Sequence, residues 1–179
     1  MDLYLIDVTI LKFFNLSYHT GVLDFFMQLV TMMGWMYLGV ILAVILYIIG
    51  RYRNDNRMCS AGILLFITLI ITAGCIEIIK LIIARPRPYT EIASLIVLNH
   101  ESNLSFPSGH TATATVIAYC LSCEYKHTAL FMLIPLLVGI SRLYLGVHYP
   151  SDVICGFIFA LIISYVCYHI LLRYKIISK

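Results

Sequence analysis

The sequence predicts an all-α fold, a polytopic membrane bundle of about six helices. Three observations carry that expectation. Of the 179 residues, 61% are hydrophobic and only 12% charged, whereas soluble domains average about 25% charged residues. Apolar runs of near-spanning length recur along the whole chain, and the few charges gather at their ends. No polar stretch is large enough for a second folded unit, so residues 1–179 read as one integral-membrane domain.

Taken in order, Leu3 to Phe14 is amphipathic and predicts an interfacial helix. Val22 to Met33 is apolar but too short to span alone, and predicts a short or tilted first span. Trp35 to Ile49 ends at the basic cluster Arg51, Arg53 and Arg57, and Met58 to Ala84 is the longest run. His110 to Tyr125 is short, Thr128 to Val147 carries Pro135, and Asp152 to Leu172 ends at Arg173 and Lys175. Asp2 and Asp7 interrupt the first ten residues, so no cleaved signal peptide is expected.

Arg51, Arg53, Arg57, Lys126, Arg173, Lys175 and Lys179 fall on one side if each segment crosses once. The positive-inside bias makes that side, with the C-terminus, cytoplasmic. The segment Arg85 to Gly109 and the turn His148 to Ser151 then face the periplasm or exterior of a plasma (inner) membrane, and any active site there is extracytoplasmic.

Composition also excludes. The net charge of +3 is divided among membrane-flanking clusters and one internal cluster, which gives no support to nucleic-acid binding. Cys59, Cys75, Cys120, Cys123, Cys155 and Cys167 all lie in or beside apolar segments and read as packed thiols, not disulfides. Cys120 and Cys123 have no matching second pair, so no metal site is expected there.

Three clusters on the outer side carry chemistry: Lys80 with Arg85, Arg87 and Pro88; Pro107-Ser108-Gly109-His110; and Ser141-Arg142 with His148 and Asp152. A lone basic residue at a helix end is an ordinary snorkelling anchor. Three cations and two histidines converging on one face are much harder to explain that way. If a helix starts near Pro150, Asp152 reaches back to one nitrogen of His148, fixes its tautomer and leaves the other nitrogen free to attack. Seen alone, that pair reads as an ordinary surface histidine near an Asp cap or as a metal-ligand pair. Ser108 and Gly109 before an apolar helix offer backbone N–H groups to an anion, and His110 is placed to protonate a leaving oxygen; a plain Ser cap with an incidental His is the competing reading. Lys80, Arg87 and Arg142 supply positive charge for a phosphoryl group. Arg85 either adds to that charge or meets lipid headgroups. Glu77, one turn before Lys80, either pairs with it or orients it. Tyr144 either lines the pocket or anchors at the interface, and the segment Tyr89 to Phe106, with Tyr89, Ile92, Leu95 and Leu104 toward lipid, is either a lid or a plain connection.

These residues resemble the signature of the type 2 phosphatidic acid phosphatase superfamily: K-x6-R-P, P-S-G-H and S-R-x5-H-x3-D. The chain shows Lys80 followed by Arg87-Pro88, then Pro107-Ser108-Gly109-His110, then Ser141-Arg142 followed by His148 and Asp152, in order and at that spacing. The resemblance implies His148 as nucleophile, Asp152 as its orienting partner and His110 as general acid. It implies Lys80, Arg87, Ser108, Gly109 and Arg142 as ligands of the phosphoryl oxygens. It also implies a phosphohistidine intermediate with no cofactor and no metal; Glu91 and Glu101 are too dispersed to hold a hard cation. Vanadium-dependent haloperoxidases share the signature, but they are soluble.

The implied partner is a membrane lipid phosphate within the bilayer, first undecaprenyl diphosphate converted to undecaprenyl phosphate for cell-wall synthesis. Phosphatidylglycerophosphate, phosphatidic acid and lipid A phosphates are the alternatives. An ion or lipid transporter is a different class; it would carry polar groups through the midplane, where Ala61 to Ile71 and Phe157 to Ile163 are almost wholly apolar. A non-catalytic scaffold would make the spacing of His148 and Asp152 incidental.

Overall fold

In the computed structural model, residues 2–17, 19–125 and 127–178 are described; Lys126 and Lys179, two of the basic residues used for orientation, lie outside them. The helices are α1 (Leu3–Leu16), α2 (Gly21–Met32), α3 (Met36–Arg53), α4 (Asn56–Ile83), α5 (Pro88–Glu91), α6 (Gly109–Tyr125), α7 (Thr128–Phe131), α8 (Leu133–Tyr144) and α9 (Pro150–Arg173). The all-α membrane bundle is as expected, with seven helices of at least 12 residues where about six were expected.

Three helices, α3, α4 and α9, are long and apolar enough to cross a membrane. Helix α4, at 28 residues, is about 42 Å long at 1.5 Å per residue and exceeds the hydrocarbon core. Its excess length lets Lys80 stand in the last turn without entering the midplane. Helices α3, α4, α6 and α9 bury a common core that includes Ala43, Leu64, Leu65, Leu69, Val116 and Ala160. The run Thr128 to Val147 is not one helix. It breaks at Met132 into α7 and α8, and Pro135 falls in the first turn of α8, where a missing N–H leaves no hydrogen bond open.

The bundle has two chemically different ends. Arg51, Arg53, Arg57 and Arg173 stand at one, where Ser178 N–H donates to Ser60 Oγ at 3.0 Å. Lys80, His110, Arg142 and His148 stand at the other. Helix α2 is not a tilted span. Its Asp24 meets Tyr144, its Thr31 meets Arg142, and Gly34 just beyond it lies against His110, so both of its ends stay at the His148 end. Helix α1 lies across the same end: Asp7, Leu11 and Asn15, four residues apart, form its buried stripe. Asn15 Nδ2 donates to the carbonyls of Ile96 at 2.8 Å and Tyr144 at 2.7 Å. Leu3, Leu5 and Phe13 of α1, and Val22, Phe25 and Phe26 of α2, point away from the protein with more than half their surface exposed, as lipid-contacting side chains do. Two interfacial helices therefore cap the end of the bundle that holds the charges.

Close helix contact is set by glycine. A Cβ on Gly62 would come within 2.7 Å of the Ala43 carbonyl and 2.8 Å of Tyr47 N, whereas a Cβ on Gly74 meets nothing within 4 Å. Gly74→Ala is expected to raise the thermal midpoint in detergent by about 2 °C through helix propensity. Gly62→Ala, despite the same propensity gain, is expected to lower it by about 3 °C or more as α3 and α4 are forced apart. Differential scanning fluorimetry of both variants checks the pair.

Candidate active site

Four turns of chain deliver the site. After α4, Ala84 takes the left-handed conformation (φ 50°) and redirects the chain into Arg85-Pro86-Arg87-Pro88. Ser108 accepts from Thr111 N–H at the start of α6. Gly146 (φ 73°) closes the turn after α8, and a side chain there would collide with Asn15 Nδ2 and the Ile96 carbonyl at 3.0 Å each. Pro150 starts α9, which brings Asp152 beneath His148.

His148 is 1% exposed. Its Nδ1 lies 3.4 Å from Asp152 Oδ2, a long approach in the expected direction. The carboxylate is fixed by shorter bonds: Ser105 Oγ donates to Oδ2 at 2.5 Å, Tyr149 N–H donates to Oδ2 at 2.9 Å, and Arg85 Nη1 donates to Oδ1 at 2.7 Å. Nε2 is not free as expected; Arg87 Nη1 stands 3.0 Å from it. Burial, with the charges of Arg87 and Arg142, pushes the His148 imidazole well below its ordinary range, so it is neutral and its Nε2 lone pair is held toward Arg87.

Arg87 and Arg142 are held side by side by one carboxylate. Glu101 Oε2 accepts from Arg87 Nη2 at 2.6 Å, and Glu101 Oε1 accepts from Arg142 Nη2. Arg87 also donates to the carbonyls of Asn103 (2.9 Å) and Val147 (2.8 Å), and Arg142 Nη1 to Thr31 Oγ1 (2.9 Å). Burial opposes ionisation of Glu101, but Arg142 and Arg87 outweigh it and hold its carboxyl down to about 2. Each carboxylate oxygen faces one guanidinium, the arrangement two oxygens of a phosphoryl group would use. Arg142 Nε, fully buried, has no partner among the described residues.

The remaining site residues divide. Lys80, 4% exposed, lines one cavity with His148 and Glu101 and pairs with Glu77 at 3.4 Å, as expected. Gly109 and His110 line that cavity too. Ser108 does not offer its backbone N–H to an anion, because that group donates to the Asp152 carbonyl at 2.9 Å. Neither reading of Arg85 fits: its guanidinium lies behind Asp152, between Asp152 and Asp7, with its Cζ 3.9 Å from the Tyr149 ring centroid. Tyr144 bonds Asp24 at 2.5 Å and stacks on His19, turned from the pocket and from the interface. Ile92 and Leu95 pack inward with Leu11, Leu143 and Tyr149, not toward lipid.

Three participants carry no motif in the sequence. Ser105 stands among loop residues. Glu101 has only its nine-residue distance from His110, and Asp7 only its lone charge in an apolar helical stripe. That last signal, a carboxylate on the buried face of a membrane-surface helix, is the one that could have been read.

With this geometry in view, likeness to known proteins is informative. The PAP2 superfamily matches residues 61–175. The chain is 30% identical over 152 residues to undecaprenyl-diphosphatase BcrC of Bacillus subtilis, covering 84% of this chain and 76% of that one. It is 35% identical over 133 residues to phosphatidylglycerophosphatase B of the same organism, 68% of this chain and 63% of that one. A crystal structure of a transmembrane PAP2 type phosphatidylglycerolphosphate phosphatase from Bacillus subtilis superimposes with a TM-score of 0.79 at 30% identity, over 96% of this chain and 87% of the other. Aquifex aeolicus LpxE superimposes at 0.71 and 26% identity, over 92% and 95%. A match over more than half of its length, joined to this fold, makes the chain a member of the PAP2 superfamily.

Proposed function

We propose that this protein is a membrane lipid phosphatase working through His148. The observation that carries the reading is a single cavity of about 420 Å³ with two characters. Its lining joins Lys80, Glu101, His110 and His148 to the apolar side chains of Met36, Ala73, Ile76 and Ala112 from α3, α4 and α6. A phosphate on a hydrocarbon tail uses both kinds of lining, and a soluble phosphoester only the charged one.

As Arg87 turns from His148 to the phosphoryl oxygens, the released Nε2 lone pair attacks phosphorus, forming the P–N bond as the bond to the leaving oxygen breaks. His110, protonated once the phosphate's negative charge is bound beside it, gives that oxygen its proton. Arg87, Arg142 and Lys80 take the charge of the phosphoryl oxygens, displacing Glu101 from the guanidiniums. His110, now the base, takes a proton from water as that water attacks phosphorus; the P–N bond breaks, and phosphate leaves with both imidazoles restored. The reaction uses no metal in this reading. Water-excluded burial of both arginines makes each charge–charge contact stronger than it is in bulk water.

The substrate proposed first is undecaprenyl diphosphate, in keeping with the likeness to BcrC across most of both chains. A second reading, phosphatidylglycerophosphate, is favoured by a polar chamber beside His110, lined by Gln28, Thr31, Asn99, Ser102 and Asn103, which suits a hydroxylated headgroup. The basic residues Arg51, Arg53, Arg57 and Arg173 at the opposite end support a cytoplasmic C-terminus and an extracytoplasmic site. Alkaline phosphatase fused to the C-terminus is then expected to be inactive in cells, and an active fusion would reverse the orientation.

Purified protein in detergent, given EDTA and a panel of lipid phosphates, is expected to release phosphate fastest from a polyprenyl diphosphate, and His148→Ala to lose at least 10³-fold of that rate. EDTA-sensitive release, or an active His148→Ala, would contradict the histidine reading; preference for phosphatidylglycerophosphate would select the second substrate. Because His148 must be neutral to attack and is held below its ordinary range, activity persists as pH falls past about 6.5 and is lost only when pH falls through the depressed value. An acid limb of kcat/KM at or above 6.5 would count against this. Glu101→Gln removes the competing anion and is expected to tighten inhibition by vanadate by about tenfold, as relief of one charge contact of order 1 kcal/mol or more requires.

A further inference from the structure

Helix α1 lies outside the residues that match the superfamily, yet it reaches the catalytic pair. Asp7 is 4% exposed and Asp152 0%. Between them lies one guanidinium: Arg85 Nη2 donates to Asp7 Oδ2 at 2.9 Å, and Arg85 Nη1 to Asp152 Oδ1 at 2.7 Å. Asp7 Oδ1 also accepts the Ser151 backbone N–H at 2.9 Å, so a carboxylate from α1 caps the first turn of α9. The Ser151 hydroxyl is 2.7 Å from Arg85 Nη1 and bonds Asp7 Oδ2. Contact with the Tyr149 ring holds the guanidinium plane from its face.

We propose that Asp7 is a positioning residue for His148, acting through Arg85 and Asp152. This rests on the reading of His148 as nucleophile. Asp152 with Arg85 alone is a neutral pair, and Arg85 would draw the carboxylate's field away from the imidazole. Asp7 takes the opposite side of Arg85, so the three groups together carry one negative charge. Asp152 Oδ2 thereby keeps its charge turned toward His148 Nδ1, where positive charge develops as Nε2 attacks. The same carboxylate fixes the start of α9, and with it the height of Asp152 beneath the ring. A helix at the membrane surface thus acts on the nucleophile without touching the substrate.

The experiment compares Asp7→Asn, Asp7→Glu, Arg85→Lys, Arg85→Gln and His148→Ala in the purified full chain, with a polyprenyl diphosphate in detergent micelles as substrate and thermal midpoint as the control for folding. Asp7→Asn keeps shape and leaves Arg85 balanced by Asp152. It is expected to lower kcat by about tenfold with KM within about twofold, and Asp7→Glu to restore part of the loss. The acid limb of the kcat/KM profile is expected to move down in Asp7→Asn, where the cluster loses a negative charge, and up in Arg85→Gln and less so in Arg85→Lys. The other charged groups facing His148, namely Arg87, Arg142, Glu101 and His110, are the same in all these variants. Wild-type kcat in Asp7→Asn, a loss confined to KM, or acid limbs that move together would overturn the proposal while an inactive His148→Ala leaves the phosphatase reading intact. An active His148→Ala would overturn that reading itself.

Discussion

Arg87 and Arg142 are 3% and 1% exposed at the end of an apolar bundle, and charges so far from water must be matched by other groups. That requirement organises the surroundings. Glu101 takes one nitrogen of each arginine, Asn103 and Val147 give carbonyls to Arg87, and Thr31 of α2 accepts from Arg142. The loop between α5 and α6 and the helix α2 are thereby tied to the two guanidiniums. In the proposed mechanism a phosphoryl group entering the pocket takes the place of Glu101 between the two guanidiniums, so the pocket is assembled before its ligand arrives.

A second charge cluster stands behind the first. Asp152 accepts from Ser105, Tyr149 and Arg85, and Arg85 is shared with Asp7. The contact of α6 with α9 brings the clusters together. Ser108 N–H donates to the Asp152 carbonyl, and a Cβ on Gly156 would fall within 2.5 Å of the Ser108 carbonyl. The P-S-G-H segment is therefore docked directly on the first turns of α9, which sets the distance between His110 and His148. In this arrangement Ser108 serves as a brace between two helices more than as an anion ligand.

The legible part of the structure was the part written in periodicity and punctuation. Long apolar runs ending in arginine marked α3, α4 and α9, and Pro150 marked the start of α9 and hence the approach of Asp152 to His148. The three motifs mark the same end of the bundle because each adjoins a helix terminus. What was not legible was long-range. Whether α2 crosses or caps depends on Asp24 meeting Tyr144 and Thr31 meeting Arg142, over a hundred residues away in the chain. Arg85 sits in a motif-like string of Arg and Pro, yet its role follows from Asp7, 78 residues earlier. The sequence around Glu101 reads only as a dispersed acidic position, because nothing local shows that two arginines converge on it.

In the proposed mechanism His148 bonds covalently to phosphorus. The direct measurement is rapid acid-free quenching of the enzyme during turnover of a polyprenyl diphosphate labelled in its terminal phosphate, followed by peptide mass spectrometry. The account predicts an alkali-stable, acid-labile phosphate on His148, formed and lost at rates compatible with turnover. A phosphoenzyme mapped to another residue, or rapid release of phosphate with the label never bound to protein, would contradict it.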